Sequence, residues 1–226
     1  MSPLAADPWW WRQLLGCAAV GLWLSLLALG ALLLPRLGLS QGEWSRKLVH
    51  IGAGAVVPIA WFSGIDRWVA LPAAALITLA AALNHRRRLL PAIEDVGRDS
   101  YGTVAYGASI TLLLLFWWPQ RADAVCAGVL VMAFADGLAG LVGPRVASAS
   151  WILLGQRRSL AGTATMALVS LVVLWALASV LGAGPPPASL LAIALGAALL
   201  EQIGWGGVDN LMVPLAVAWL WQRLSV

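Results

Sequence analysis

Apolar runs long enough to cross a bilayer recur along the whole chain, at roughly 11–34, 45–63, 68–84, 101–118, 122–142, 160–181, 187–203 and 208–224. A span takes about 17 to 25 such residues. In hydrocarbon each backbone N–H and C=O must be satisfied within its own segment, which makes the helix the repeating unit. The expectation is therefore an all-α, polytopic transmembrane helix bundle of seven to eight spans. The third and seventh runs are short and the eighth opens on Asp209-Asn210, so seven spans with a re-entrant end is the alternative count. Composition points the same way: 61% of residues are hydrophobic and 11% charged, against about a quarter charged in ordinary globular domains.

The chain reads as one integral-membrane domain over 1–226, with an anchor helix and loop in 1–43 and a helical core over 44–226. Asp7 and a tryptophan cluster at 9–11 precede the first run, with no basic leader and no clear small-residue cleavage site. An anchor is expected there, not a signal peptide. Cys17 and Cys126 both fall in apolar runs and read as small buried hydrophobes without a disulfide framework. The 14 basic residues that give a net charge of +4 are spread over several loops, as orientation in a membrane requires, so nucleic acid is not indicated as a partner. With eight spans one face receives Arg36, Arg46, Lys47, Arg86, Arg87, Arg88, Arg98, Arg145, Arg157 and Arg158, and the other Arg12, Arg67, Arg121 and Arg223. Ten against four puts the first face in the cytoplasm and both termini outside, in a cell (inner) membrane or an organelle membrane.

The polar residues that hydropathy does not explain fall toward that cytoplasmic face. Asp136 lies in the apolar run 129–142, where a carboxylate has no cheap partner and is functional by default. Helical rise puts it about 9 Å from the inner end of its run. Lys47 and His50 open the second run, Asp99 to Tyr101 the fourth and Arg158-Ser159 the sixth, while Glu201 and Asp209-Asn210 flank the turn between the last two. A structural protein or simple channel gives no reason for this one-sidedness. An active site entered from the cytosol does.

Each constellation admits a plain reading beside a chemical one. Arg46-Lys47-Leu-Val-His50-Ile-Gly-Ala-Gly54 puts positions 47, 50 and 54 on one helix face; it is either a positive-inside anchor with a core histidine or a face carrying a proton acceptor. Asp99-Ser100-Tyr101 is either a helix N-cap or a helix start that suits phosphate. Asp136-Gly137-x-x-Gly140-x-x-Gly143 is either close helix packing with a structural ion pair or a carboxylate beside room for a metal-bound triphosphate, the setting magnesium prefers. Arg157-Arg158-Ser159-Leu-Ala-Gly162-Thr163 offers a fork of guanidinium donors for phosphate as well as cytoplasmic anchoring. The stretch from Glu201 to Asp209-Asn210 places two acids and an amide around a glycine-rich turn, which is either a capped tight turn or a second metal or nucleotide contact.

Taken together, these residues resemble the polyprenol kinase family, the membrane enzymes that include dolichol, phytol and farnesol kinases. The resemblance covers most of the chain from about Arg46. It rests on Arg46-Lys47-x-x-His50-x-x-x-Gly54, on Asp136-Gly137-x-Ala139-x-x-x-Gly143, on Arg158-Ser159-x-x-Gly162-Thr163 and on Glu201 followed by Asp209-Asn210-x-x-Val213-Pro214. Dolichol kinases usually carry Lys-Ser/Thr-x-Glu-Gly where this chain has Arg158-Ser159-Leu160-Ala161-Gly162, so the match leans to the phytol and farnesol branch. The resemblance implies a kinase-like core over 44–226. That core would be a prenol kinase moving the γ-phosphate of CTP to the terminal hydroxyl of an isoprenoid alcohol, with Mg2+ or another divalent cation, in an all-helical membrane fold.

The roles expected on that basis give the metal to Asp136 with Glu201, Asp209 and Asn210. The nucleotide phosphates go to Arg46, Gly137, Gly140, Gly143, Arg157, Arg158, Ser159, Gly162 and Thr163. Lys47 neutralises developing charge, and His50 or Asp99 orients or deprotonates the alcohol. Expected partners are the lipid bilayer, the isoprenoid alcohol and CTP, with a homodimer left open. Two rivals from other classes are a lipid cytidylyltransferase releasing pyrophosphate and a lipid transporter or flippase, whose acids should reach mid-membrane or the outer face.

Overall fold

The computed structural model describes residues 8–34, 42–87 and 101–225. Ten helices and one hairpin follow in order: α1 Trp9–Leu33, α2 Gly42–Ala53, α3 Val56–Phe62, α4 Arg67–Arg87, α5 Gly102–Trp117, α6 Ala122–Leu130, a π-helical turn Val131–Asp136, α7 Gly137–Val142, β1 Ser150–Leu153, β2 Gln156–Ser159, α8 Leu160–Leu181, α9 Pro187–Gln202 and α10 Asp209–Leu224. The all-α class expected from the sequence holds for the membrane-length elements. Among the described residues, four helices have the length and apolarity to cross a bilayer: Trp9–Leu33, Arg67–Arg87, Ala122–Val142 (α6 through α7) and Leu160–Leu181. The expected run at 45–63 is divided between α2 and α3 by a turn at Gly54-Ala55, and the expected short third run becomes the 21-residue α4.

The helix from Ala122 to Val142 is the centre of the bundle. Val125, Val129, Val131, Met132 and Ala133 on it are wholly buried, and it packs against α3, α5, α8 and α10. Small residues let α10 approach: a Cβ placed at Gly128 would sit 2.3 Å from the main-chain oxygen of Pro214. The outer helices α1, α4 and α8 are apolar but turn Leu22, Leu76, Val172 and Val180 outward, the pattern of helices whose second solvent is lipid.

Helix ends gather at one place because their caps require it. Ser159 is the N-cap of α8 and its Oγ accepts from the Gly162 N–H at 3.2 Å, satisfying one of the donors a helix start leaves open. The expected N-cap of the fourth run belongs to Tyr101 instead; Asp99 and Ser100 lie outside the described residues. The Tyr101 N–H donates to the Gly206 carbonyl at 3.0 Å, joining the start of α5 to the α9–α10 turn, where Gly206 and Gly207 hold φ of +61° and +92°. The short antiparallel hairpin, Ser150 paired with Ser159 and Leu153 with Gln156, was not expected. It turns at Leu154-Gly155, both at positive φ (51° and 75°), the backbone that two-residue hairpin loops demand.

Candidate active site

Five separate elements bring carboxylates and cations to this shared end. Asp136 closes the π-helical turn, a deviation from the α repeat that is frequent at functional sites. Lys47 and His50 reach it from α2, with Lys47 Nζ at 3.8 Å and His50 Nε2 at 3.2 Å from Asp136 Oδ2. The His50 Nε2 also lies 3.1 Å from the Met132 carbonyl. Both neighbours are acceptors, so Nε2 carries a proton and donates it toward them. The ring is held against Tyr106 at a centroid distance of 4.7 Å.

Arg158, on β2, sits among the other two acids. It pairs with Glu201 at the end of α9, donates to the Gly204 carbonyl at 2.9 Å and approaches Asp209 Oδ2 at 3.9 Å. The Arg158 and Glu201 side chains are 11% and 10% exposed. At that burial a lone charge is costly, and each needs the other. Gln202 steadies the acid: its Nε2 donates to Glu201 Oε2 at 2.7 Å and to Thr163 Oγ1 at 3.0 Å.

Asp136, Glu201 and Asp209 each offer a carboxylate oxygen, and these three oxygens lie within 4.8 Å of one another. Opposed ligands of an octahedral Mg2+ stand about 4.2 Å apart and adjacent ones about 3 Å, so the three acids lie within reach of one ion after a modest closure. Two buried oxygens beside them, Gln202 Oε1 and Asn210 Oδ1, have no donor. Buried acceptors without donors are rare in folded proteins; hydrated metal or ligand donors would satisfy them. Pro214 adds to this, because it has no N–H to give to the main-chain carbonyl of Asn210 four residues earlier. All-oxygen donors, three of them anionic, fit a hard divalent cation.

The cluster opens on a cavity of about 1010 Å³, at the upper end of small-ligand sites. Its walls include Arg46, Lys47, Asp136, Gly140, Gly143 and Arg157, and beyond them Arg158, Ser159, Gly162, Thr163, Glu201, Asp209 and Asn210. Thirteen of the expected site residues thus share one space, and His50 stands directly behind Asp136. Gly137 does not line it: a Cβ there would meet Ile51 Cγ1 at 2.4 Å, so this glycine lets α7 close on α2. Gly140 makes room for Lys47, whose Nζ would lie 2.3 Å from a Cβ, and Gly143 faces Ser159 Oγ and Gly162 Cα at 3.1 and 3.3 Å. The site also uses residues outside the expected set: Gln202, Gly204, and Arg145, whose guanidinium caps the Trp44 ring at 4.8 Å. Gln202 carried a signal, being an amide beside an acid at the end of an apolar helix; the role of Gly204 carried none beyond its glycine.

The fold and site define a helical membrane protein with a polar chamber lined by three carboxylates and several cationic side chains. No family model matches the chain, and no solved structure does. Over 96% of its length it is 42% identical to the phytol kinase of Synechocystis sp., covering 94% of that protein. The chain therefore belongs to the polyprenol kinase family, to which that phytol kinase belongs.

Proposed function

We propose that this protein is a kinase that transfers the γ-phosphate of CTP to the terminal hydroxyl of an isoprenoid alcohol, such as phytol, geranylgeraniol, farnesol or a longer polyprenol, giving the monophosphate and CDP. One observation carries the reading: three carboxylates within 4.8 Å of one another meet Arg158 and Lys47 on the wall of a single large polar cavity. Kinship with a phytol kinase supports the acceptor class. Phosphoryl transfer asks the protein for positioning and charge neutralisation above all, and the cavity supplies groups for both.

In this reading Asp136, Glu201 and Asp209, with Asn210 beside them, hold a divalent cation, which supplies charge neutralisation on the phosphate oxygens. Arg46, Lys47, Arg157 and Arg158 bind the phosphates, with Ser159, Gly162 and Thr163 at the start of α8. The alcohol oxygen forms the new bond to phosphorus as the bond to the CDP oxygen breaks, and the hydroxyl proton passes to a carboxylate. His50 positions Asp136 through its Nε2–H and so acts one step back from the substrate. The chamber faces the cytoplasm, with eight spans and both termini outside, a placement supported by the ten-to-four division of basic residues.

A panel of nucleotides and prenols, assayed with purified protein and product analysis, tests the proposal. Prenyl monophosphate and CDP are expected, with CTP the best donor. Pyrophosphate and a CDP-lipid would replace the kinase with a cytidylyltransferase, and lipid flux without nucleotide consumption would replace it with a flippase.

A further inference from the structure

In the kinase reading Glu201 goes to a cation and Arg158 to phosphate, yet the two side chains hold each other. Both oxygens of Glu201 are taken: Oε1 accepts from the Arg158 guanidinium and Oε2 from the Gln202 amide at 2.7 Å. The same guanidinium lies 3.9 Å from Asp209 Oδ2, so one arginine serves two of the three clustered acids. We propose that Arg158 is a built-in counter-ion that exchanges partners: it leaves Glu201 for the phosphates of the nucleotide as Glu201 takes the cation, so that cation and phosphate are admitted together. The inference rests on the kinase reading for the identity of those two ligands.

Charge decides which donor gives way. A carboxylate oxygen has two lone pairs and keeps a neutral N–H while it binds a metal, so Gln202 stays. A guanidinium on the same carboxylate stands close to a divalent ion, in a site with little water to screen the like charges, and is driven off. Gln202 is in addition tied in place. Thr163 Oγ1 gives its proton to the Ser159 carbonyl at 3.0 Å, so toward Gln202 it is an acceptor, and the amide must turn Nε2 to both Thr163 and Glu201. Arg158 is the opposite case. Its buried Nε has no acceptor among the described residues, its main-chain partner is the neutral Gly204 carbonyl at 2.9 Å, and its side chain lines the large polar cavity beside Ser159 and Gly162. A buried guanidinium with an unused N–H is short of acceptors, and phosphate oxygens supply them in its fork geometry.

Cation binding tests the exchange without turnover. Mn2+ alone, followed by the EPR signal of the free ion, is titrated into the purified protein and into Arg158→Gln, Glu201→Gln and the double variant. Arg158→Gln is expected to bind Mn2+ about tenfold more tightly than wild type, a usual size for the coupling between two ligands. In the Glu201→Gln background that gain should vanish, because the contested carboxylate is gone. Unchanged or weaker binding in Arg158→Gln makes the pair a structural bridge and overturns the exchange. A gain that survives Glu201→Gln comes from the general field of the cavity and overturns it as well. A second arm uses the wild-type chain and so needs no variant to fold. Phenylglyoxal modification of Arg158, read by peptide mass spectrometry, should run several-fold faster with Mg2+ than without it and slow again when CDP is added with the Mg2+. A rate that Mg2+ leaves unmoved overturns the proposal. If both arms come out as expected while the wild-type protein phosphorylates no prenol, the kinase reading falls and the exchange between cation and phosphate stands; prenol phosphorylation with neither arm as expected leaves the kinase and removes the exchange.

Discussion

The central helix carries an acid at each end, and the two are treated in opposite ways. Asp123, in the first turn, is closed off: Arg121 reaches it through Nε at 3.0 Å and a second nitrogen at 2.9 Å, and Trp221 Nε1 donates at 2.9 Å. Every contact is short, and Arg121 also donates to the Gln222 carbonyl at 3.5 Å, so the charge locks α10 to the helix it packs on. Asp136, thirteen residues on, has longer contacts at 3.2 and 3.8 Å and two further carboxylates close by. Acids brought together repel. Holding three of them at one point gives up stability that Asp123 shows this same helix can collect, and the arrangement makes sense when a cation and a phosphate ligand complete it.

Substitutions at the two ends should therefore fail differently. Asp136→Asn should leave the protein folded in detergent and lower CTP-dependent prenol phosphorylation by about 10³-fold or more, the scale of losing a key charge-stabilising group in phosphoryl transfer; near-wild-type turnover would remove Asp136 from the site. Removal of divalent cations with EDTA should abolish the same activity, with restoration by Mg2+. At the other end the losses should be of stability. Gly128→Ala drives a methyl onto a main-chain oxygen that cannot swing aside, and should cost about 2–3 kcal/mol, read as a lower Tm with normal kcat at permissive temperature. Asp123→Ala strands Arg121 and the Trp221 N–H and should cost about 1–2 kcal/mol; lost activity without a drop in Tm would break the contrast between the ends. The smallest effect is expected from Gly140→Ala, whose methyl displaces only the tip of the flexible Lys47 side chain. A few-fold rise in the KM for CTP is expected there, with Tm nearly unchanged.

Much of this was legible in the sequence because polarity is conspicuous in an apolar chain. Asp136, Glu201 and Asp209 stand out against their neighbours, and the bundle follows from the runs around them. What escaped was geometry set by distant partners. Arg158 reads as a free phosphate-binding cation at a helix start, whereas it lies on a strand and is already held by Glu201 and Gly204. The hairpin under it has no alternating pattern: Ser-Trp-Ile-Leu is a short apolar run, and its turn puts Leu154, not an asparagine or glycine, at positive φ. The π-helical turn was equally hidden, since Val-Met-Ala-Phe-Ala-Asp suits an ordinary α-helix as well. Gly54 gave a partial signal of the α2–α3 break, where a Cβ would meet Ala133 Cβ at 2.4 Å, but nothing local says which helix presses on it.

That π-helical turn is a reading frame as much as a shape. It corresponds to one residue added to an α-helix, and each residue of an α-helix turns its successors by about 100°. A single-residue deletion between Val131 and Ala135 would return the segment to the α repeat with the flanking helices in phase, and would remove the widened turn that ends on Asp136 and presents the Met132 carbonyl to His50. Length over this stretch is thus a constraint on the chain beside the identity of the residues in it, and a one-codon loss there should disturb the seating of His50 against Asp136.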